Sequence, residues 1–134
     1  MHVEDDILAT IALTLMPGIG SITARKIINQ LGSASSFFET CENLRFPGMR
    51  KLDLSRTAIG ACFLRAEEEL RFIERQDIQA VIVSHNNYPQ RLKNCEDAPA
   101  ILYSRGNINL NASRMIAVVG TRKSTPYGER CCEE

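Results

Sequence analysis

The sequence has no surplus of charge: its 16 Lys+Arg balance 16 Asp+Glu. No global field draws it to nucleic acid or to anionic lipid, so any such contact must come from a local cluster. No apolar run approaches the ~18 residues of a membrane span, and Met1-His2-Val3-Glu4-Asp5-Asp6 lacks the basic start of a signal peptide. Neither His2 nor His85 completes a metal-ligand spacing. The cysteines are odd in number (Cys41, Cys62, Cys95, Cys131 and Cys132) and contain no C-x-x-C. A bond between the neighbours Cys131 and Cys132 would be strained. All five are therefore read as reduced thiols, with Cys62 a small residue on an apolar helical face. These absences point to a cytoplasmic protein, without membrane, metal or cofactor. No repeat or low-complexity tract divides the chain.

What is present is a composition of 44% hydrophobic and 24% charged residues over 134 positions, that of a soluble globular protein with one ordinary domain or two small ones. The pattern is helical up to about residue 76. Residues 4–15 read as a helix capped by Asp5 or Asp6, with Ile7, Leu8, Ile11, Ala12 and Leu15 on one face. Pro17-Gly18-Ile19-Gly20 cannot continue it, and Ser21 reads as the N-cap of a second helix ending at Gly32. Ser35 or Ser36 starts a short helix through Phe37 and Phe38, two core aromatics. Asp53 or Ser55 caps a long helix to about Arg75, with Ile59, Cys62, Phe63, Ala66, Leu70 and Ile73 as its apolar stripe. The Pro47-Gly48 pair, with Arg45, Arg50 and Lys51, reads as a degenerate second hairpin or a solvated basic face.

Helix, Leu15-Met16-Pro17-Gly18-Ile19-Gly20, helix is the pattern of a helix-hairpin-helix. Bare glycine backbone and the free N–H groups of the second helix would face a DNA phosphate there, flanked by Arg25 and Lys26. The same residues also fit a Pro-Gly corner joining two packed helices.

Near Asp77 the period changes. Residues 80–84 and 100–103 read as strands, with a turn and a short helical piece over 85–91 between them. Met115-Ile116-Ala117-Val118-Val119 reads as a strand buried on both faces, as in a parallel sheet. Gly120 opens a polar loop, and a helix begins near Tyr127 to Glu129. Strand, glycine loop and helix collect backbone N–H groups around an anion, and Arg122 adds a planar fork of donors suited to phosphate. An ordinary strand-to-helix turn with a solvated arginine fits the same spacing. Such a strand needs neighbours that the following residues do not supply, so the chain reads as the N-terminal part of a longer protein or the product of an early stop.

Three blocks follow the hairpin in order: Asn87-Tyr88-Pro89-Gln90-Arg91-Leu92; Pro99-Ala100-Ile101-Leu102-Tyr103-Ser104-Arg105-Gly106; and Val119-Gly120-Thr121-Arg122 with Tyr127-Gly128. Together they resemble the bacterial DNA-processing protein A family, also called Smf. The resemblance implies an α/β protein. A helical domain (helix-hairpin-helix, SAM-like) over 1–76 would precede the incomplete start of an extended Rossmann-like sheet over 77–134. It implies a non-enzymatic single-stranded-DNA-binding protein of natural transformation, which protects incoming DNA and helps load the RecA recombinase. Arg122 would then hold a DNA phosphate, Gly120 and Thr121 would offer backbone and hydroxyl donors, and Lys123 and Ser124 are further candidates. Gly18, Gly20, Arg25 and Lys26 are the candidates at the hairpin. RecA contacts and homodimer formation belong, in the family, to regions beyond this sequence. Two other readings stay open: a nucleotide-binding Rossmann enzyme of the phosphoribohydrolase type, and a helical protein-interaction module without DNA binding.

Overall fold

The first helix, α1 (Val3–Leu15), is the centre of the molecule, with five consecutive residues, Ala9 to Leu13, buried. The structure is a computed structural model that describes residues 3–40, 52–117, 119–120 and 122–133. The expected single apolar face of α1 understates its burial. Helices α2 (Ser21–Leu31), α3 (Ala34–Thr40) and α4 (Arg56–Arg75) and the strands β1 (Ile78–Ile82) and β2 (Ile101–Arg105) all pack against it. A helix surrounded in this way is buried all round rather than along one stripe. Thr10 tolerates that position because its hydroxyl donates to Asp6 O at 2.7 Å.

The helix ends follow capping chemistry, with two corrections. Asp6 lies inside the first turn of α1, where its charge suits the helix dipole. Its Oδ1 instead accepts from Ser35 N and Ser35 Oγ at 3.3 and 3.1 Å, so it caps α3 from across the fold. Ser33 Oγ also accepts from Ser36 N at 3.0 Å. Ser21 is the first helical residue of α2, and extended Gly20 is the cap. It acts only through its carbonyl, which accepts from Ala24 N at 2.9 Å, so no side chain caps this helix. Gly32 closes α2 in the left-handed region at φ 86°. Ser55, rather than Asp53, caps α4, accepting from Ala58 N at 3.3 Å. Asp53 accepts from Ser55 N at 3.0 Å, and this N–H and then the Ser55 hydroxyl hold its carboxyl below the usual carboxylate range.

Strands β1 and β2 pair antiparallel, Ile78 with Arg105 through Ile82 with Ile101. Val83 N extends the ladder to Ala100 O at 2.9 Å. The strands run two residues earlier and one residue later than the sequence pattern suggested. The connection between them carries the short helix α5 (Gln90–Lys93). One core cluster unites the helices with the hairpin: Leu13, Met16, Ile27, Ile28 and Phe37 pack with Val81, Val83, Tyr88 and Ala100. A second cluster, of Ile11, Ala12, Ala66, Ile73, Ile82 and Ile101, lies under α4. Phe37 is fully buried, and Phe38 meets Phe37 and Phe63 edge to face at 5.1 and 4.7 Å. These aromatics are core, as expected.

The strand expected at 115–119 is not formed by its described residues. None of Met115, Ile116, Ala117 and Val119 is in a strand, and Ile116 and Val119 are 93% and 91% exposed. An apolar run becomes a buried strand only when other strands accept from its N–H groups and donate to its C=O groups. The two described strands bond to each other. The last described element is α6 (Pro126–Glu133). The second Pro-Gly hairpin, Cys41, His2, Val118 and Thr121 lie outside the described residues. Among those residues no helix is long and apolar enough to cross a membrane, and no His/Cys/Asp/Glu group is placed to hold a metal. Cys62, Cys95, Cys131 and Cys132 carry free thiols.

Candidate nucleic-acid interface

The approach to the glycine loop is fixed by two of the sequence blocks. Tyr88 is fully buried, and its hydroxyl donates to Pro99 O at 2.7 Å, joining the first block to the second. Burial pushes the Tyr88 hydroxyl pKa upward. Pro89 has no N–H to offer, and α5 begins at Gln90, whose N–H is accepted by Asn111 Oδ1 at 2.9 Å. Asn111 Nδ2 donates to Asn87 O and Tyr88 O at 3.3 and 3.2 Å. Arg91 donates through both guanidinium arms to Ala112 O and Ser113 O at 3.3 and 3.0 Å. One asparagine and one arginine thus tie residues 111–113 to the 87–91 turn. From Ser113 to Glu133 every described residue is exposed except half-buried Gly128.

Within that exposed stretch, Thr125 and Pro126 set the start of α6. Thr125 Oγ1 accepts from Gly128 N at 3.2 Å, and Pro126 takes the first helical position, where its missing N–H costs nothing. This Thr-Pro signal places the start one residue before the expected range. Gly120, Ser124, Thr125, Gly128, Glu129 and Cys132 line an open hollow of about 550 Å³ with Val119 and Glu133. Gly120 and Ser124, two of the candidate residues, both line this hollow. Arg122 and Lys123 are exposed and stand outside the lining. Ser124 is already engaged: its hydroxyl donates to Glu129 Oε1 at 2.6 Å. The sequence reading used Glu129 to bound the start of the helix and missed this contact. A serine five residues before a glutamate, across a helix cap, was the available signal.

At the helical hairpin, Gly18 has φ 89°, and a Cβ there would meet Leu52 Cδ2 at 3.2 Å. The positive φ favours glycine at this position, and a Cβ would also require the Leu52 side chain to shift by a few tenths of an ångström. Gly20, by contrast, is extended with open space around it. The first turn of α2 has no side-chain cap, so its N–H groups are not satisfied by the capping residue's side chain. Arg25 has other partners: its two terminal nitrogens donate to Lys93 O and Cys95 O, locking α2 to the end of α5. Exposed Lys26 lies beside it, and both line a hollow of about 270 Å³ with Ile22, Asn29 and residues 94–96. The structure thus groups Arg25 with Lys26 but gives Arg25 a structural task that residue spacing could not show.

A larger hollow, about 620 Å³, lies between α4 and the hairpin, lined by Arg65, Glu68, Glu69, Phe72, Arg75 and Tyr103 with Ile73 and Ile78. Tyr103 donates to Glu69 Oε1 at 2.7 Å. Burial, then the Glu69 hydrogen bond and charge, raise its pKa far above the ordinary tyrosine value. Two arginines face two glutamates here, so the surface has no net attraction for phosphate.

A family model described as DNA recombination-mediator protein A matches residues 79–134. Over 56 residues the chain is 39% identical to the DNA processing protein DprA of Bacillus subtilis (strain 168). That alignment covers 41% of this chain and 19% of the relative. The family match begins in β1 and runs through the Tyr88–Asn111 junction, the glycine loop and α6, while α1 to α4 lie before it. Residues 79–134 of this chain are thus similar to the DNA recombination-mediator protein A family.

Proposed function

We propose that this chain is part of a single-stranded-DNA-binding protein that processes DNA in natural transformation, protecting incoming strands and loading RecA. The observation that carries this reading is that the family match takes in the glycine loop, where exposed Arg122 stands two residues after Gly120. Arg122 holds a backbone phosphate, with Gly120, Thr121, Lys123 and Ser124 as its neighbours in the site. Contacts of this kind bind any sequence and weaken with salt. The helical hairpin at Gly18 and Gly20, with Lys26 and Arg25, is the secondary contact. In this reading residues 1–76 are a helix-hairpin-helix domain and 77–134 the start of a Rossmann-like DNA-binding domain. The protein works in the cytoplasm without cofactor or catalysis, and RecA binding and homodimer formation use other parts of the longer relative.

The test is fluorescence anisotropy of a labelled oligothymidylate at several salt concentrations. The expected result is salt-dependent binding that Arg122→Ala weakens, with the slope of log affinity against log salt falling by about 0.7. Binding that ignores Arg122→Ala but is lost in Lys26→Ala would move the site to the hairpin. Absence of binding at low salt would overturn the reading.

A further inference from the structure

The glycine-loop hollow holds donors suited to an anion, yet carboxylates already share it. Ser124 Oγ donates to Glu129 Oε1 at 2.6 Å, and Glu133 lines the same hollow beside Gly120 and Thr125. A short hydroxyl–carboxylate bond is among the stronger hydrogen bonds. Glu129 also lies in the first turn of α6, where a negative charge is favoured by the helix dipole. A phosphate oxygen that takes the Ser124 hydroxyl must first displace that carboxylate. One that does not must sit beside it and suffer like-charge repulsion.

We infer that Glu129 is a built-in competitor at the glycine loop, occupying the Ser124 hydroxyl until a phosphate replaces it. The inference rests on the phosphate-binding reading above and names the residue that limits the site. Its consequence is selectivity. An isolated phosphate monoanion or dianion exchanges one Ser124 contact for another and gains little. A strand that also places neighbouring phosphates against Arg122 and Lys123 gains enough to displace the carboxylate. Glu129 therefore favours a polyphosphate backbone over inorganic phosphate.

The experiment compares the wild-type chain with Glu129→Gln, Glu133→Gln, Ser124→Ala and the Ser124→Ala/Glu129→Gln double variant. The readouts are oligothymidylate anisotropy and competition by inorganic phosphate. Glu129→Gln should tighten oligonucleotide binding roughly two- to fivefold and make inorganic phosphate a better competitor. Glu133→Gln, which removes the same charge from the same hollow, should do less. The double variant should lose most of the gain, because the gain acts through a hydroxyl that the neutral glutamine holds less tightly than the carboxylate does. Equal affinities for Glu129→Gln and wild type, or a gain that persists without Ser124, would overturn the inference while leaving Arg122-dependent binding in place. If none of the five proteins binds the oligonucleotide, the phosphate-binding reading falls and this inference falls with it.

Discussion

Two stretches of this chain are similarly apolar and end up oppositely placed. Ala9-Thr10-Ile11-Ala12-Leu13 in α1 is at most 3% exposed, while the described residues of Met115-Ile116-Ala117-Val118-Val119 are exposed. Hydrophobicity does not separate them. The α1 backbone satisfies its own hydrogen bonds, so its side chains can pack against α3, α4 and both strands at once. The 115–119 segment, as a strand, would need partner backbone before its side chains could be buried, and β1 and β2 bond to each other. Burial in this protein follows from which backbone is satisfied locally. The exposed segment is also the one that carries the glycine loop, so the same difference separates the part that supplies stability from the part assigned to binding.

The largest expected effect sharpens this contrast. Phe37→Ala empties a fully buried position and should cost about 3–5 kcal/mol in urea unfolding. Ile116→Ala removes an equally apolar side chain that is 93% exposed and should change stability by less than ~0.5 kcal/mol. A cost for Ile116→Ala close to that of Phe37→Ala would break the comparison, because it would mean that the segment is covered in solution. Next in size is Gly18→Ala. The φ of 89° and the 3.2 Å approach to Leu52 act together, so a loss of about 1–2 kcal/mol is expected. Gly20→Ala, at an extended position in open space, serves as its control and should cost much less.

Much of the body could be read in the sequence because its signals are local. Pro17-Gly18 stopped α1, Gly32 stopped α2, Ser55 opened α4, and the stripe through Ala66 and Ile73 marked the buried face of that helix. What the sequence could not give was through-space. Asp6 caps a helix 29 residues away, and Arg25 spends its fork on carbonyls nearly 70 residues on. The burial of α1 on all sides depends on how many elements surround it, which a single-face periodicity cannot count. At the candidate site, Gly120, Arg122 and Ser124 were nominated by residue type and order. The hydrogen bond that commits Ser124 to Glu129 depends on the turn made at Thr125-Pro126, so it emerges only with the backbone in place. The 115–119 run shows the converse. An apolar pattern states which faces would be covered if partners existed, and says nothing of whether they do.

The smallest expected effect lies at the junction of the two regions. Asn111 accepts from Gln90 N and donates to Asn87 O and Tyr88 O, so one side chain holds the exposed segment to the buried body. It is itself exposed, so water can replace each bond in Asn111→Ala, and the net loss should be about 1 kcal/mol or less. The informative readout is local. Hydrogen exchange at the Gln90 amide should accelerate, because its acceptor is gone, while amides in α1 keep their protection. Arg91 still holds Ala112 O and Ser113 O, so the loop is expected to loosen rather than detach, and Asn111→Ala/Arg91→Ala should act more than additively on residues 111–113. Faster exchange spreading into Ala9–Leu13 in the single variant would mean that body and segment are one cooperative unit. Exchange confined to the junction would mean that the glycine loop can move without disturbing the core, as a loop that must release one anion to take another requires.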